Sequence, residues 1–131
     1  MPRSSSHPTE LELEVLKVLW REGPWPVRLV RQALAAAGRD LAYTTVMTVM
    51  SIMVRKGYLR RDKQGAGFIY RPRIVRRSTL GKMLRDLVDR AFNGSAAAAT
   101  LHLLQTSDLN REELRQIQEL IARKARKDQL P

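Results

Sequence analysis

The chain has no cysteine, so it can build no disulfide framework, no zinc finger and no thiolate metal site. Aromatic residues are only 5% of its 131 residues, too few for a platform on which single-stranded bases stack. No run approaches the roughly 18 apolar residues of a membrane span, and the opening MPRSSSHP lacks the apolar stretch of a secretory signal. A soluble, cytoplasmic protein without direct membrane insertion is expected. Catalytic groups are also scarce. The two histidines, His7 and His102, fall in a polar tail and an apolar helix, and no serine sits in a nucleophile motif. Gly65-Ala66-Gly67 lacks the third glycine and following helix of a dinucleotide fingerprint, and reads as a turn. Met47, Met50, Met53 and Met83 lack the Cys or convergent His that would make a copper site. No enzyme, cofactor or metal is expected.

Acidic residues are few too: 13 against 24 Lys and Arg, a net charge of +11. The excess is uneven. Residues 1–79 carry 15 basic and 6 acidic side chains, net +9, whereas residues 80–131 carry 9 and 7, net +2. Such a charge points to a polyanion, nucleic acid before an anionic membrane, and the first part of the chain does the binding.

The stretch Tyr43–Gly57, YTTVMTVMSIMVRKG, organises that part. On a helix Val46, Val49, Met50 and Met53 recur at the spacing that buries one face. Thr44, Thr48, Ser51 and Arg55 share another face, whose hydroxyls can reach base edges or phosphates. Residues 1–8 read as a disordered tail. Thr9 with Glu12 makes a capping box that opens a first helix, with Leu13, Leu16, Leu19 and Trp20 inward. Gly23-Pro24-Trp25-Pro26 ends it. A second helix spans 27–37, with Val30, Ala33, Leu34 and Ala37 inward, Arg28, Arg31 and Gln32 outward, and Gly38 as its stop. Two compact helices joined by a short link make a helix-turn-helix.

After Gly57 the period changes to that of a β-hairpin. Strands at 58–62 and 68–71 flank a turn at 63–67. From Arg55 to Lys82 ten basic residues face one acid, Asp62, so the hairpin reads as a wing lying along phosphates or the minor groove. A fourth helix capped by Ser78 or Thr79 runs to about 92, a fifth, capped by Ser95, spans 96–105, and Asn110 with Glu113 opens a sixth. Three helices in 52 residues, one nearly uncharged, bury too little apolar surface alone and are expected to pack against a second copy.

The residues Thr9-Glu10-Leu11-Glu12-Leu13-Glu14-Val15-Leu16-Lys17-Val18-Leu19-Trp20, then Ala42-Tyr43-Thr44-Thr45-Val46-Met47-Thr48-Val49-Met50, then Lys56-Gly57-Tyr58-Leu59, resemble the BlaI/MecI/CopY family of penicillinase-type repressors. Phe92-Asn93-Gly94-Ser95 and Leu109-Asn110-Arg111-Glu112-Glu113-Leu114 resemble it more weakly. The resemblance implies a mainly α chain with a small β-hairpin: a winged helix-turn-helix DNA-binding domain at 9–77 and a three-helix dimerisation domain at 78–131. It implies a homodimer on a palindromic operator of double-stranded DNA. In members that answer β-lactams, a membrane-bound sensor metalloprotease triggers cleavage of the repressor, which would align here between His102 and Leu103. The best-known members carry Asn-Phe at that pair. The copper-responsive branch ends in Cys-x-Cys motifs, which this chain lacks, and Ile52 stands where many members carry Arg.

Thr44, Thr45, Thr48 and Ser51 are thus expected in the major groove, with Met47 against a thymine methyl. Arg28, Arg55, Lys56 and Lys63 are expected on phosphates. The rival reading is a nonspecific architectural or RNA-binding basic protein. A peripheral membrane adaptor is disfavoured, because the cations flank a hairpin and not an amphipathic helix with aromatics opposite.

Overall fold

In a computed structural model that describes residues 7–128, the order is α1 (Glu10–Glu22), α2 (Val27–Ala36), α3 (Tyr43–Lys56), β1 (Leu59–Gln64), β2 (Gly67–Pro72), α4 (Arg76–Ala91), α5 (Ala96–Thr106) and α6 (Arg111–Asp128). Most of the expected tail lies outside the described residues, and Pro8 is buried. The chain divides into two units, with the division inside α4 at Arg85 and Asp86. The sequence reading put its domain boundary at 77/78, a position that α4 runs across.

The first unit has one core. Val15, Leu16, Val18 and Leu19 of α1 meet Val27, Val30 and Leu34 of α2, Val46, Met50 and Met53 of α3, and Leu59 and Tyr70 of the hairpin. Val15 and Val18 join the expected stripe of α1, while Leu13 and Trp20 are half-buried. Trp20 lies at the edge because its indole N–H reaches out to the Ile74 carbonyl at 3.0 Å. Ala37, expected inward, is exposed: it is the C-cap of α2, and Gly38 at φ 96° turns the chain away.

The turn between α2 and α3 is tied down by arginines. Arg31 Nε donates to the Leu41 carbonyl at 2.8 Å, just ahead of α3, and Arg39 Nε donates to Glu14 of α1 at 3.0 Å. The Glu14 carboxylate raises the Arg39 pKa, chiefly through that hydrogen bond. At the far end of α3, Gly57 takes φ 85° and the next N–H, that of Tyr58, returns to the Met53 carbonyl at 2.9 Å. This left-handed cap starts the hairpin directly from the helix. Nothing lies within 4 Å of a Cβ added there, so Gly57→Ala meets only backbone strain. We expect that substitution to cost roughly 1–2 kcal/mol, read from the midpoint of urea unfolding.

The hairpin is longer than its sequence suggested. β1 and β2 pair antiparallel from Leu59↔Pro72 to Gln64↔Gly67, so the turn is the pair Gly65-Ala66 and Lys63 belongs to a strand. Gly65 at φ 60° provides the positive φ that a two-residue turn needs, which frees its neighbours to pair. Trp25 adds a third rung: its N–H and carbonyl both bond Tyr70, at 3.3 and 2.9 Å. The Gly23–Pro26 stretch thus ends α1 and, through Trp25 alone, bridges to β2.

α4 begins at Arg76, before the expected caps. Ser78 sits inside it and bonds back to the Val75 carbonyl at 3.2 Å, while Thr79 is buried. A hydroxyl with that local acceptor is tolerated within a helix, and the two arginines ahead of it are good helix formers. In the second unit Ser95 caps α5 by accepting from the Ala98 N–H at 3.0 Å, and Asn110 with Glu113 forms the expected reciprocal box on α6. Only Ala99 is buried among the apolar residues of α5 and α6. Leu101, Leu103, Leu114, Leu120 and Ile121 are exposed.

Candidate nucleic-acid interface

α3 is buried along Val46, Met50 and Met53 and exposed on the opposite side. At about 100° per residue, Thr44, Thr48, Ser51 and Arg55 fall within one narrow arc of that exposed side, with Thr45 and Met47 on its flanks; all six are exposed. Ile52 lies on the Thr45 flank of that arc and is half-buried. The surface presented is one of short hydroxyls, one thioether at 39% exposure and a terminal guanidinium. Short side chains let a helix approach groove floors closely, and their hydroxyls both donate and accept. Ala42, the N-cap, brings no side-chain acceptor to the first-turn N–H groups, so the positive end of α3 is left for an anion.

One flank of this arc faces the hairpin. A cleft of about 410 Å³ lies between α2, α3 and the strands, lined by Arg28, Tyr43, Met47, Ser51, Arg61 and Phe68 among others. Strand alternation puts Arg61 and Lys63 on the face that carries Leu59 and Tyr70, beyond the edge of the core. The Arg61 guanidinium stacks on the Phe68 ring at 4.4 Å, an arrangement that reduces its conformational freedom before any ligand arrives. Sequence reasoning omitted Arg61, Tyr43 and Phe68 from the site. The alternation pattern was the available signal, since it pairs Arg61 with the already chosen Lys63.

The opposite face of the hairpin has another use for charge. Asp62 accepts from Arg71 Nε at 2.8 Å and from Arg60 at 3.2–3.3 Å. These bonds, Arg71 first and then Arg60, hold the Asp62 pKa below its ordinary value. The ion cluster persists through neutral pH and is lost only as acid protonates Asp62 below the usual carboxylate range. Arg60 and Arg71 are thus partly neutralised. Arg28, Arg55, Arg61 and Lys63 have no carboxylate partner among the described residues. Unpaired cations gathered beside a hydroxylated helix suit a polyanion better than a neutral ligand.

Lys56 behaves differently from its neighbours. Its ammonium donates to Oε2 of Glu12 at 2.8 Å and lies 5.9 Å from the Tyr58 ring centre. Expected on a phosphate, it is an exposed residue whose ammonium is paired with a carboxylate of its own chain. The second unit holds the remaining pair: His102 and Leu103 are exposed on α5, with the His102 ring 5.9 Å from that of Phe92. A groove of about 510 Å³ runs between α5 and α6, lined mainly by Leu103, Leu104, Leu109, Ile117, Leu120 and Ile121. No helix among the described residues is long and apolar enough to cross a membrane.

Comparison with known proteins agrees with this arrangement. The penicillinase repressor family model matches residues 8–123. The chain is 36% identical over 98 residues to the transcriptional regulator BlaI of Mycobacterium tuberculosis, covering 73% of this chain and 70% of that one. It is 25% identical over 113 residues to the penicillinase repressor of Bacillus licheniformis, covering 86% and 88%. The methicillin resistance regulatory protein MecI of Staphylococcus aureus is 18% identical over 113 residues, covering 86% of this chain and 91% of its own. With its winged helix-turn-helix unit and its helical second unit, this chain belongs to the penicillinase repressor (BlaI/MecI) family of transcriptional repressors.

Proposed function

We propose that the protein represses transcription as a homodimer seated on a palindromic operator, each copy pressing the Thr44–Arg55 arc of α3 into a major groove. The exposed hydroxyl arc carries this reading. Thr44, Thr45, Thr48 and Ser51 meet base edges and nearby phosphates, and Met47 packs on a thymine methyl. Arg28 and Arg61, facing one cleft, and Lys63 and Arg55 beyond it hold the phosphate backbone and set the register. The two copies read half-sites one or two helical turns apart. Repression then needs only occupancy of a promoter, and the protein works in the cytoplasm, where that DNA is.

The second unit supplies the twin contact. Its exposed leucines and apolar groove are what a self-complementary interface would bury. The same unit is the place for induction by a membrane-bound sensor metalloprotease. His102 and Leu103 stand on the surface of α5, and a protease reaches their peptide bond once that helix locally unwinds. Cutting there would divide the groove's own wall and weaken the dimer.

Selection of bound sequences from random duplex DNA tests the reading. An enriched palindrome with a fixed spacing supports it, and recovery of unrelated sequences in proportion to their abundance supports a nonspecific architectural protein instead. Thr48→Ala gives a finer result. We expect about 1–3 kcal/mol of operator discrimination to be lost, with affinity for random DNA nearly unchanged in parallel titrations. Full discrimination retained by Thr48→Ala would mean that α3 is misplaced in the groove.

A further inference from the structure

We infer that Glu12 is a specificity-determining residue that acts through Lys56: it withdraws a recognition-helix cation from the DNA and keeps it as a brace. The inference rests on the DNA-binding reading above. Glu12 is only 4% exposed, yet it is charged, and both its oxygens are used. Oε1 accepts the Thr9 backbone N–H at 2.9 Å, while Oε2 accepts the Lys56 ammonium at 2.8 Å. Its own N–H is bonded to the Thr9 hydroxyl at 3.2 Å. One carboxylate therefore joins the first turn of α1 to the last turn of α3.

The position of Lys56 makes this consequential. It lies about 80° round α3 from Thr48, at one about 100° per residue, on the flank away from the cleft that holds Arg28 and Arg61. Its side chain is 39% exposed, so a flexible four-carbon stem can turn either to Glu12 or outward to solvent and DNA. Phosphate contacts add affinity for every sequence alike, whereas base contacts discriminate. A lysine tied to Glu12 adds nothing to the sequence-blind share of binding. It fixes the end of α3 that carries Arg55, and so the angle at which the hydroxyl arc enters the groove.

Substitution at Glu12 separates these roles. In Glu12→Gln the one remaining oxygen is held by the Thr9 N–H, an acceptor role Gln fills in capping boxes. The amide NH2 then faces the Lys56 ammonium, donor against donor, and the lysine is released. Full-length wild type, Glu12→Gln, Lys56→Gln and the double variant are titrated with selected operator and with random duplex over a salt series, each first checked for a cooperative melt. We expect wild type and Lys56→Gln to share one slope of log K against log salt. Glu12→Gln should be steeper by about one per protomer, bind random DNA more tightly, and lose several-fold in its operator-to-random ratio. The double variant should return to the wild-type slope, because no lysine is left to release.

A Lys56→Gln slope shallower by about one per protomer overturns the inference, since it makes Lys56 a phosphate contact in the wild type. So does a Glu12→Gln slope equal to that of the wild type. If Glu12→Gln does not fold, Lys56→Gln decides alone, and its amide can still donate to Glu12 to keep the brace. A wild type with no salt response and no operator preference overturns the DNA reading, and this inference with it.

Discussion

Replacing Leu120 or Ile121 by Glu lowers operator affinity on the order of 10²–10⁴-fold while leaving the first unit folded. Both side chains are exposed, at 50% and 55%, on the groove between α5 and α6. A charge there costs the single chain little, because the site already faces water. It costs a dimer much more, because closing the interface would strip that carboxylate of solvent, and Lys124, which lines the same groove, would offset only part of that loss. Once the dimer is lost, each half-site binds alone. The gain from linking two binding events disappears, and that gain is typically of the stated size. Sedimentation measures the oligomeric state and operator titration the affinity, so the two losses should track each other across the variants. A monomer that keeps full operator affinity would remove the second unit from the account of binding.

Raising salt from about 50 to about 200 mM weakens binding on the order of 10³-fold. Counterions condensed on the duplex are released when cations replace them, and the penalty for release falls on affinity as salt rises. The cations proposed for the phosphates are Arg28, Arg55, Arg61 and Lys63 in each copy, none of which has a carboxylate partner among the described residues. Arg60 and Arg71 share Asp62 and contribute less. Removing Arg61, which is pre-set by the Phe68 ring, should flatten the slope by about one per protomer. A nearly flat salt response in the intact protein would mean that phosphates are not a principal contact.

Much of this was legible in the chain before its structure was seen, and for identifiable reasons. The helix starts at Thr9, Ser95 and Asn110 are set by local chemistry, so caps read from the sequence reappear in the fold. The two-faced pattern of α3 is local as well, and the structure leaves its hydroxyl side exposed. Tertiary contacts were less visible. Nothing near Trp25 announces its pairing with Tyr70, and nothing near Lys56 announces Glu12, 44 positions earlier. The position of Lys56 beside the hydroxyl arc is visible in the sequence, and its ion pair with the buried Glu12 carboxylate is not. The extra length of the hairpin escaped notice because a five-residue polar stretch resembles a loop, whereas Gly65 lets the chain reverse in two.

The most direct test follows backbone amide resonances of labelled protein as operator duplex is added. The account predicts the largest shifts along Thr44–Arg55 and around Arg61–Phe68, with α1 at Lys17–Arg21 nearly still. Shifts concentrated on α1 or α6, with the threonine arc unmoved, would contradict it.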